Sequence, residues 1–420
     1  MRTDPRFGIE IFDQGLLAPG KIWAFADLPP ADKVKAYTQV YTVEFGLMSS
    51  DGVSWREKNG SQKIELFNVS RNNTAHIRAA VARVRAGAGA GKLAIIGDST
   101  TAGMYASGAQ WAGNRALSMP TFVATTLNGM GYKAQAESIW GSSQSASNAN
   151  FVAYDPRVAF ANGAGVVTSG TFDLGGYALF LSATTHKVSF TPVLPFDTID
   201  LYYHTFGGNG TFTVDIDGGA SLGTINTNQA SLFRKTSFSV ALGTHTINCN
   251  WASGFSVFSG IAVRDTTTPR IEVYNMGAAG SKAIDWQDQG ASLVTTGVDA
   301  VFINLTINDA VAATSLSAYE ASLQTLISSL RAANIDVVLM TGAPSNNANA
   351  TNGVLDGIIG KLGKLAGAND IPLINICSKW ASYAASQPLG YYGDAGVGSL
   401  HPSSTGYADI ASSVIAALTP

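Results

Sequence analysis

Four short polar clusters stand directly after apolar runs or just before a final helical stretch in this 420-residue chain. Each holds a group suited to nucleophilic chemistry. Gly97-Asp98-Ser99-Thr100 follows the apolar run LAII. A serine opening a helix there has its hydroxyl beside N–H dipoles that favour developing negative charge. Asn275-Met276-Gly277-Ala278-Ala279-Gly280-Ser281 closes a second apolar run. Its glycines let a backbone N–H come close to a ligand. Thr306-Ile307-Asn308-Asp309 ends a third run and offers a side-chain amide, a donor that does not titrate. His401-Pro402 contains one of only five histidines, the residue type suited to general-base work near neutral pH. Taken singly, each cluster also reads as a turn, a helix cap or a surface histidine.

The elements that must hold these clusters follow from periodicity. TAHIRAAVARVRA sets Ile77, Ala80, Val81 and Val84 at helical spacing, and GAGAG ends that helix before a strand. The AGAGAGK stretch is not a phosphate loop, because Leu93 follows Lys92 where Ser or Thr is required. From 271 onward strands and helices alternate, as a parallel sheet covered on both faces demands. Between 151 and 265 the chain instead alternates on a period of two with regular Gly, Asn and Asp turns, which predicts a β-sandwich or jelly roll. Residues 1–72, with a hairpin signal at Asp51-Gly52, read as a small β module. The expected organisation is therefore a β module at 1–72, an α/β domain in two parts at 73–150 and 266–420, and an all-β insertion at 151–265.

In this order, each at a strand end or ahead of the last helix, the four clusters resemble the SGNH (GDSL-type) hydrolase superfamily. The resemblance implies a flavodoxin-like three-layer α/β/α domain and a serine esterase. It implies Ser99 as nucleophile and His401 as base. It also implies an oxyanion hole from the Ser99 and Gly280 N–H groups and the Asn308 amide. No G-x-S-x-G elbow of the α/β-hydrolase type is present. One position departs from the family, which usually has an aspartate three residues before the histidine. Gly398 occupies it here. Three arrangements stay open at this point: Asp394 turns in to orient His401, a backbone carbonyl does so, or the scaffold is weak or inactive. Asp98 reads as a local turn partner.

Composition narrows the substrate. Only 13% of residues are charged, against roughly 25% in an average soluble domain. Lys+Arg 26 against Asp+Glu 29 gives a net charge of -3, which excludes a basic nucleic-acid binder. No apolar run reaches the roughly 18 residues of a membrane helix. Cys249 and Cys377 read as buried apolar residues, not a disulfide framework. His186, His204 and His245 lack metal-ligand spacing. Asp215 and Asp217 read as a turn, and no metal or cofactor is expected. Tyr202, Tyr203, Phe206, Trp251, Phe255 and Phe258 of the insertion divide between sandwich core and sugar-stacking faces. SGNH hydrolases with such insertions resemble polysaccharide acetyl esterases, and the first 72 residues resemble β modules that precede enzymatic parts of phage tail fibres. The expected function is removal of O-acetyl groups from a capsule- or O-antigen-type polysaccharide, outside the cell or on a virion. A homotrimer attached to a tail is the matching assembly. The rival readings are a non-catalytic glycan-binding or virion structural protein, and a lipase, thioesterase or acyltransferase with the same machinery.

Overall fold

The computed structural model describes residues 66–418 except 71, 142–146, 167–172, 351, 395 and 397, together with five short strand pieces within the first 57 residues. Two of those pieces, Gly46–Ser50 and Trp55–Glu57, pair antiparallel on either side of the expected hairpin. The turn itself, and the attachment or trimerisation role expected of the 1–72 module, lie outside the described residues.

One sheet organises the α/β part. Its strands are β1 (Leu66–Phe67), β2 (Gly91–Gly97), β3 (Ala134–Gln135), β4 (Ile271–Gly277), β5 (Ala300–Asn304), β6 (Asp336–Met340) and β7 (Leu373–Ile374). They lie in the order β1-β7-β6-β5-β2-β4-β3, all parallel except β1. Alternation dictates the layers. On β2, Ala94 and Ile96 face one core with Leu323, Leu326 and Leu330 of the helix Leu316–Ala332. Leu93 and Ile95 face the other, with Ile77, Val123, Leu127, Ile410 and Val414 of the helices Ala75–Arg85, Met119–Gly129 and Ser404–Leu418. The expected three-layer α/β/α fold is thus present. After β2 the chain builds β4 on one side and then β5 on the other. The carboxyl ends of β2, β4 and β5 therefore flank a topological switch point, where open α/β sheets bind ligands.

The all-β part is a sandwich of antiparallel sheets. A five-stranded sheet runs Val158–Ala161, Lys187–Phe190, Ile247–Ser253, Thr211–Ile216, Ser221–Asn226. It faces a four-stranded sheet of Leu232–Gly243, Phe196–Thr205, Gly260–Arg264 and Ser138–Trp140 across a core that includes Phe190, Ile199, Phe212 and Phe258. The sandwich begins earlier than the expected 151, because Ser138–Trp140 already pairs with Gly260–Arg264. A three-residue strand is too short for its period to reveal which sheet it joins. The sandwich is also not a free-standing module. Trp140 and Tyr202 pack with Tyr274 of β4 in the core of the α/β domain, at ring separations of 4.7 and 5.3 Å from Trp140. Beneath them the buried Asp200 of the sandwich accepts from Arg264 and Ser237 and faces Lys92 of β2 at 3.5 Å. Burial pushes the Asp200 carboxyl up, but these cationic and hydroxyl partners outweigh it and hold it down at about 2.

Of the insertion's aromatic residues, Tyr202, Tyr203 and Phe258 are buried, Phe206 and Trp251 are half-buried, and Phe255 is exposed. Asp215 is engaged by Asn248, Asn250 and Gly218, and Asp217 by His245 and Thr246. Among the described residues no group of His, Cys, Asp and Glu could hold a metal, and no helix is long and apolar enough to cross a membrane. Neither cysteine is in a disulfide. Cys249 is buried, while Cys377 is only half-buried.

Candidate active site

Ser99 begins a four-residue helix, Ser99–Ala102, at the end of β2. Asp98 caps it: its carboxylate accepts from the Thr100 N–H at 2.8 Å and the Thr100 hydroxyl at 2.7 Å. This is the local turn bonding expected of Asp98. Its burial is nearly complete, and that desolvation, only partly offset by Thr100, pushes the carboxyl up to about 6. The strand end is packed so closely that only glycine fits at 97. A Cβ there would lie 2.2 Å from Thr101 Oγ1 and 2.4 Å from the Asn304 carbonyl.

The structure brings three of the expected side chains together. Ser99 Oγ lies 2.8 Å from His401 Nε2, and His401 Nδ1 lies 2.7 Å from Asp394 Oδ2. Asp394 also accepts from the backbone N–H of His401 at 3.1 Å and of Leu400 at 3.2 Å. One carboxylate thus fixes both the ring and the loop that carries it. Of the open arrangements for His401, the structure contains the Asp394 contact. Gly398 has φ +87, in the left-handed region that favours glycine. Its loop is tied by Ser399, whose hydroxyl donates to the Asp394 carbonyl at 2.7 Å. Ser99 and His401 are 7% and 9% exposed, enough for a substrate to reach them while bulk water stays largely excluded.

The two remaining residues sit along the same sheet edge. Gly280 is exposed, with φ +78 and nothing within 4 Å of where a Cβ would stand. Its neighbour Ser281 anchors the loop: the hydroxyl donates to the Gly97 carbonyl at 3.1 Å and accepts from Trp286 Nε1 at 3.0 Å. Asn308 Nδ2 donates to the Ser281 carbonyl at 3.1 Å, so its amide is oriented by that loop. An amide nitrogen carries two hydrogens, and this contact uses one. Next to it, Asp309 accepts from the Ala283 N–H at 2.9 Å, and burial pushes its carboxyl up.

Sequence reasoning missed Asn304 and Tyr105, and gave Asn275 no role of its own within its cluster. Asn304 donates to Thr100 and Thr101, at 3.1 and 3.0 Å, and Asn275 donates to Ala102 O, Ser118 Oγ and Tyr154 Oη. Both are asparagines interrupting otherwise apolar strand ends, a signal visible in AVFINL and IEVYNMG. Tyr105, whose ring lies against His401, gave no such signal.

Residues 249–408 match the GDSL-like Lipase/Acylhydrolase family. That stretch contains Gly280, Asn308, Asp394 and His401 but not Ser99, which reaches the site from before the insertion. Among solved structures, a peptidoglycan O-acetylesterase is similar at 16% identity, covering 84% of this chain and 98% of its own, with a TM-score of 0.65. A lipase/acylhydrolase from Enterococcus faecalis is 17% identical over 35% of this chain and 75% of its own, with a TM-score of 0.31. A family two carbohydrate esterase from Clostridium thermocellum, in complex with cellohexaose, is 14% identical over 60% of this chain and 97% of its own, at 0.28. No curated protein matches the sequence.

Proposed function

We propose that the ester hydrolase whose GDSL-like acylhydrolase domain this chain carries removes O-acetyl groups from a polysaccharide through an acyl-enzyme. The observation that carries the reading is the relay from Ser99 through His401 to Asp394, at 2.8 and 2.7 Å, beside the oriented Asn308 amide. Ser99 Oγ attacks the acetyl carbonyl carbon while His401 Nε2 takes its proton. Asp394 holds the imidazole in the tautomer with Nδ1 protonated and balances the imidazolium that forms. The tetrahedral oxyanion accepts from the Ser99 and Gly280 N–H groups and the second hydrogen of Asn308 Nδ2. The C–O bond to the sugar then breaks, and His401 returns the proton to the departing hydroxyl. Water, deprotonated by His401, attacks the acetyl-Ser99 ester, and acetate leaves.

A carbohydrate substrate is supported by the scarcity of charge, which suits a neutral polymer bound through hydrogen bonds and ring stacking. It is supported also by the solved peptidoglycan O-acetylesterase whose fold is similar over 84% of this chain. The enzyme then works outside the cell, where such polymers lie. The test is hydrolysis of p-nitrophenyl acetate, and acetate release from O-acetylated polysaccharides, by wild type and Ser99→Ala. A loss of at least ~10³-fold in kcat is expected in the variant. Equal rates in the two proteins would overturn the reading. A preference for long acyl chains would favour a lipase over the acetylesterase.

A further inference from the structure

Tyr105 follows the nucleophile helix in a conformation few bulky residues adopt, with φ +59. The segment around it joins the two halves of the site. The N–H groups of Gly103 and Met104 both donate to the Ser99 carbonyl at 3.0 Å. Two residues on, the Ala106 carbonyl accepts from Ser404 N–H at 2.8 Å, and Tyr407 Oη donates to the Met104 carbonyl at 3.1 Å. The loop before Asp394 is pressed on this segment so tightly that a Cβ at Gly393 would lie 1.9 Å from the Tyr105 carbonyl. Clamped this way, the half-buried Tyr105 ring packs beside that of His401, with centroids 5.1 Å apart and planes inclined by 34°. The imidazole is then bounded by Ser99 at Nε2, Asp394 at Nδ1 and the tilted Tyr105 ring, whose centroid is 5.1 Å away.

The geometry points to Tyr105 as a positioning residue that acts through His401. This rests on the esterase reading above. As general base the imidazole gains a proton, and with it a positive charge, as Ser99 attacks and again as water attacks the acyl-enzyme. An aromatic face within about 6 Å attracts a cation far more than a neutral ring. The contact therefore strengthens when charge develops, which is the condition for accelerating a step and not merely binding the substrate. It also stops the ring from swinging out of line with Ser99 Oγ. The strained backbone at 105 is the local cost of aiming a side chain from the nucleophile segment onto the base.

The chemistry requires a π face and not the phenol, so two substitutions separate the roles. Tyr105→Phe keeps the face; Tyr105→Leu keeps apolar bulk without it, and neither adds branching at the strained position. With p-nitrophenyl acetate, Tyr105→Phe is expected within about twofold of wild type. Tyr105→Leu is expected to lose roughly tenfold in kcat and in kcat/KM together, with KM unchanged. Thermal unfolding of each variant separates this from loss of the fold, and Tyr105→Trp is expected to recover most of the rate. Full activity in Tyr105→Leu would overturn the proposal. So would a rise in KM at constant kcat, which would make Tyr105 a substrate platform, or an equal loss in Tyr105→Phe. If Ser99→Ala stays active in the same assay, the esterase reading fails instead.

Discussion

Asp394 meets His401 in a way that a local motif does not encode. It stands seven residues upstream, and its carboxylate bonds to the ring and to the backbone N–H of the same histidine. Asp394→Asn keeps the size but removes the charge that balances the imidazolium, and the amide can hold the wrong tautomer. A loss of ~10²–10⁴ in kcat on p-nitrophenyl acetate is expected, with the melting temperature little changed. Adding Gly398→Asp to that variant is not expected to restore activity, since φ +87 disfavours a side chain there. This marks where sequence reading stopped. Ser99, Asn308 and His401 were legible because each stands beside an unmistakable strand end or final helix. In the sequence the partner of His401 stays open among Asp394, a carbonyl and a weak or inactive scaffold, because it depends on the path of a glycine-rich loop, where spacing says little about direction. Tyr105 was invisible for a related reason: its partner lies nearly the whole domain away in sequence, and only the tertiary clamp creates the contact.

At the scale of elements, the site depends on how closely β4 passes the nucleophile helix. A Cβ added at Gly277 would lie 2.2 Å from the Ala102 nitrogen and 2.7 Å from its Cα, atoms of the same short helix that begins with Ser99. Gly277→Ala is therefore expected to push that helix along the sheet edge, destabilising the protein by roughly 1–3 kcal/mol. It should also lower kcat by more than the loss of fold alone explains. Melting curves and initial rates on the same samples check this, and unaltered kcat would mean the helix has room to yield. The alternation of strands and helices after 271 was readable because each long apolar run matched one period. The junction of sheet and sandwich was not. Ser138–Trp140 is a short apolar run compatible with either sheet, and its assignment depends on pairing with Gly260–Arg264, far along the chain.

Across the whole molecule, the insertion and the α/β domain are fastened by a buried charge cluster as well as by shared aromatic core. Asp200 is fully buried, and Lys92 reaches it from β2. Removing the carboxylate takes from Arg264, Lys92 and Lys235 the anion they share and leaves them only the neighbouring buried Glu272. Asp200→Ala is expected to cost roughly 3–5 kcal/mol, read by urea unfolding at pH 7. The native carboxyl, at about 2, lies below the ordinary value of 3.8 expected when the chain unfolds. Its contribution is thus complete above the unfolded value and fades as the pH falls from there toward 2. The difference is roughly 2 kcal/mol. In Asp200→Asn that acid-side loss should be missing, and a titration of stability between pH 5 and 2 measures it. The distance along the chain between nucleophile and base has a consequence of another kind. Ser99 and His401 are separated by 302 positions, with the entire sandwich between them. At about 5–20 residues per second a ribosome needs roughly fifteen seconds to a minute to cover that interval. Throughout it, the serine has been made but its base has not. The growing chain cannot form the Ser99–His401 pair during that interval, and the site is complete only once the last helix of the domain can dock.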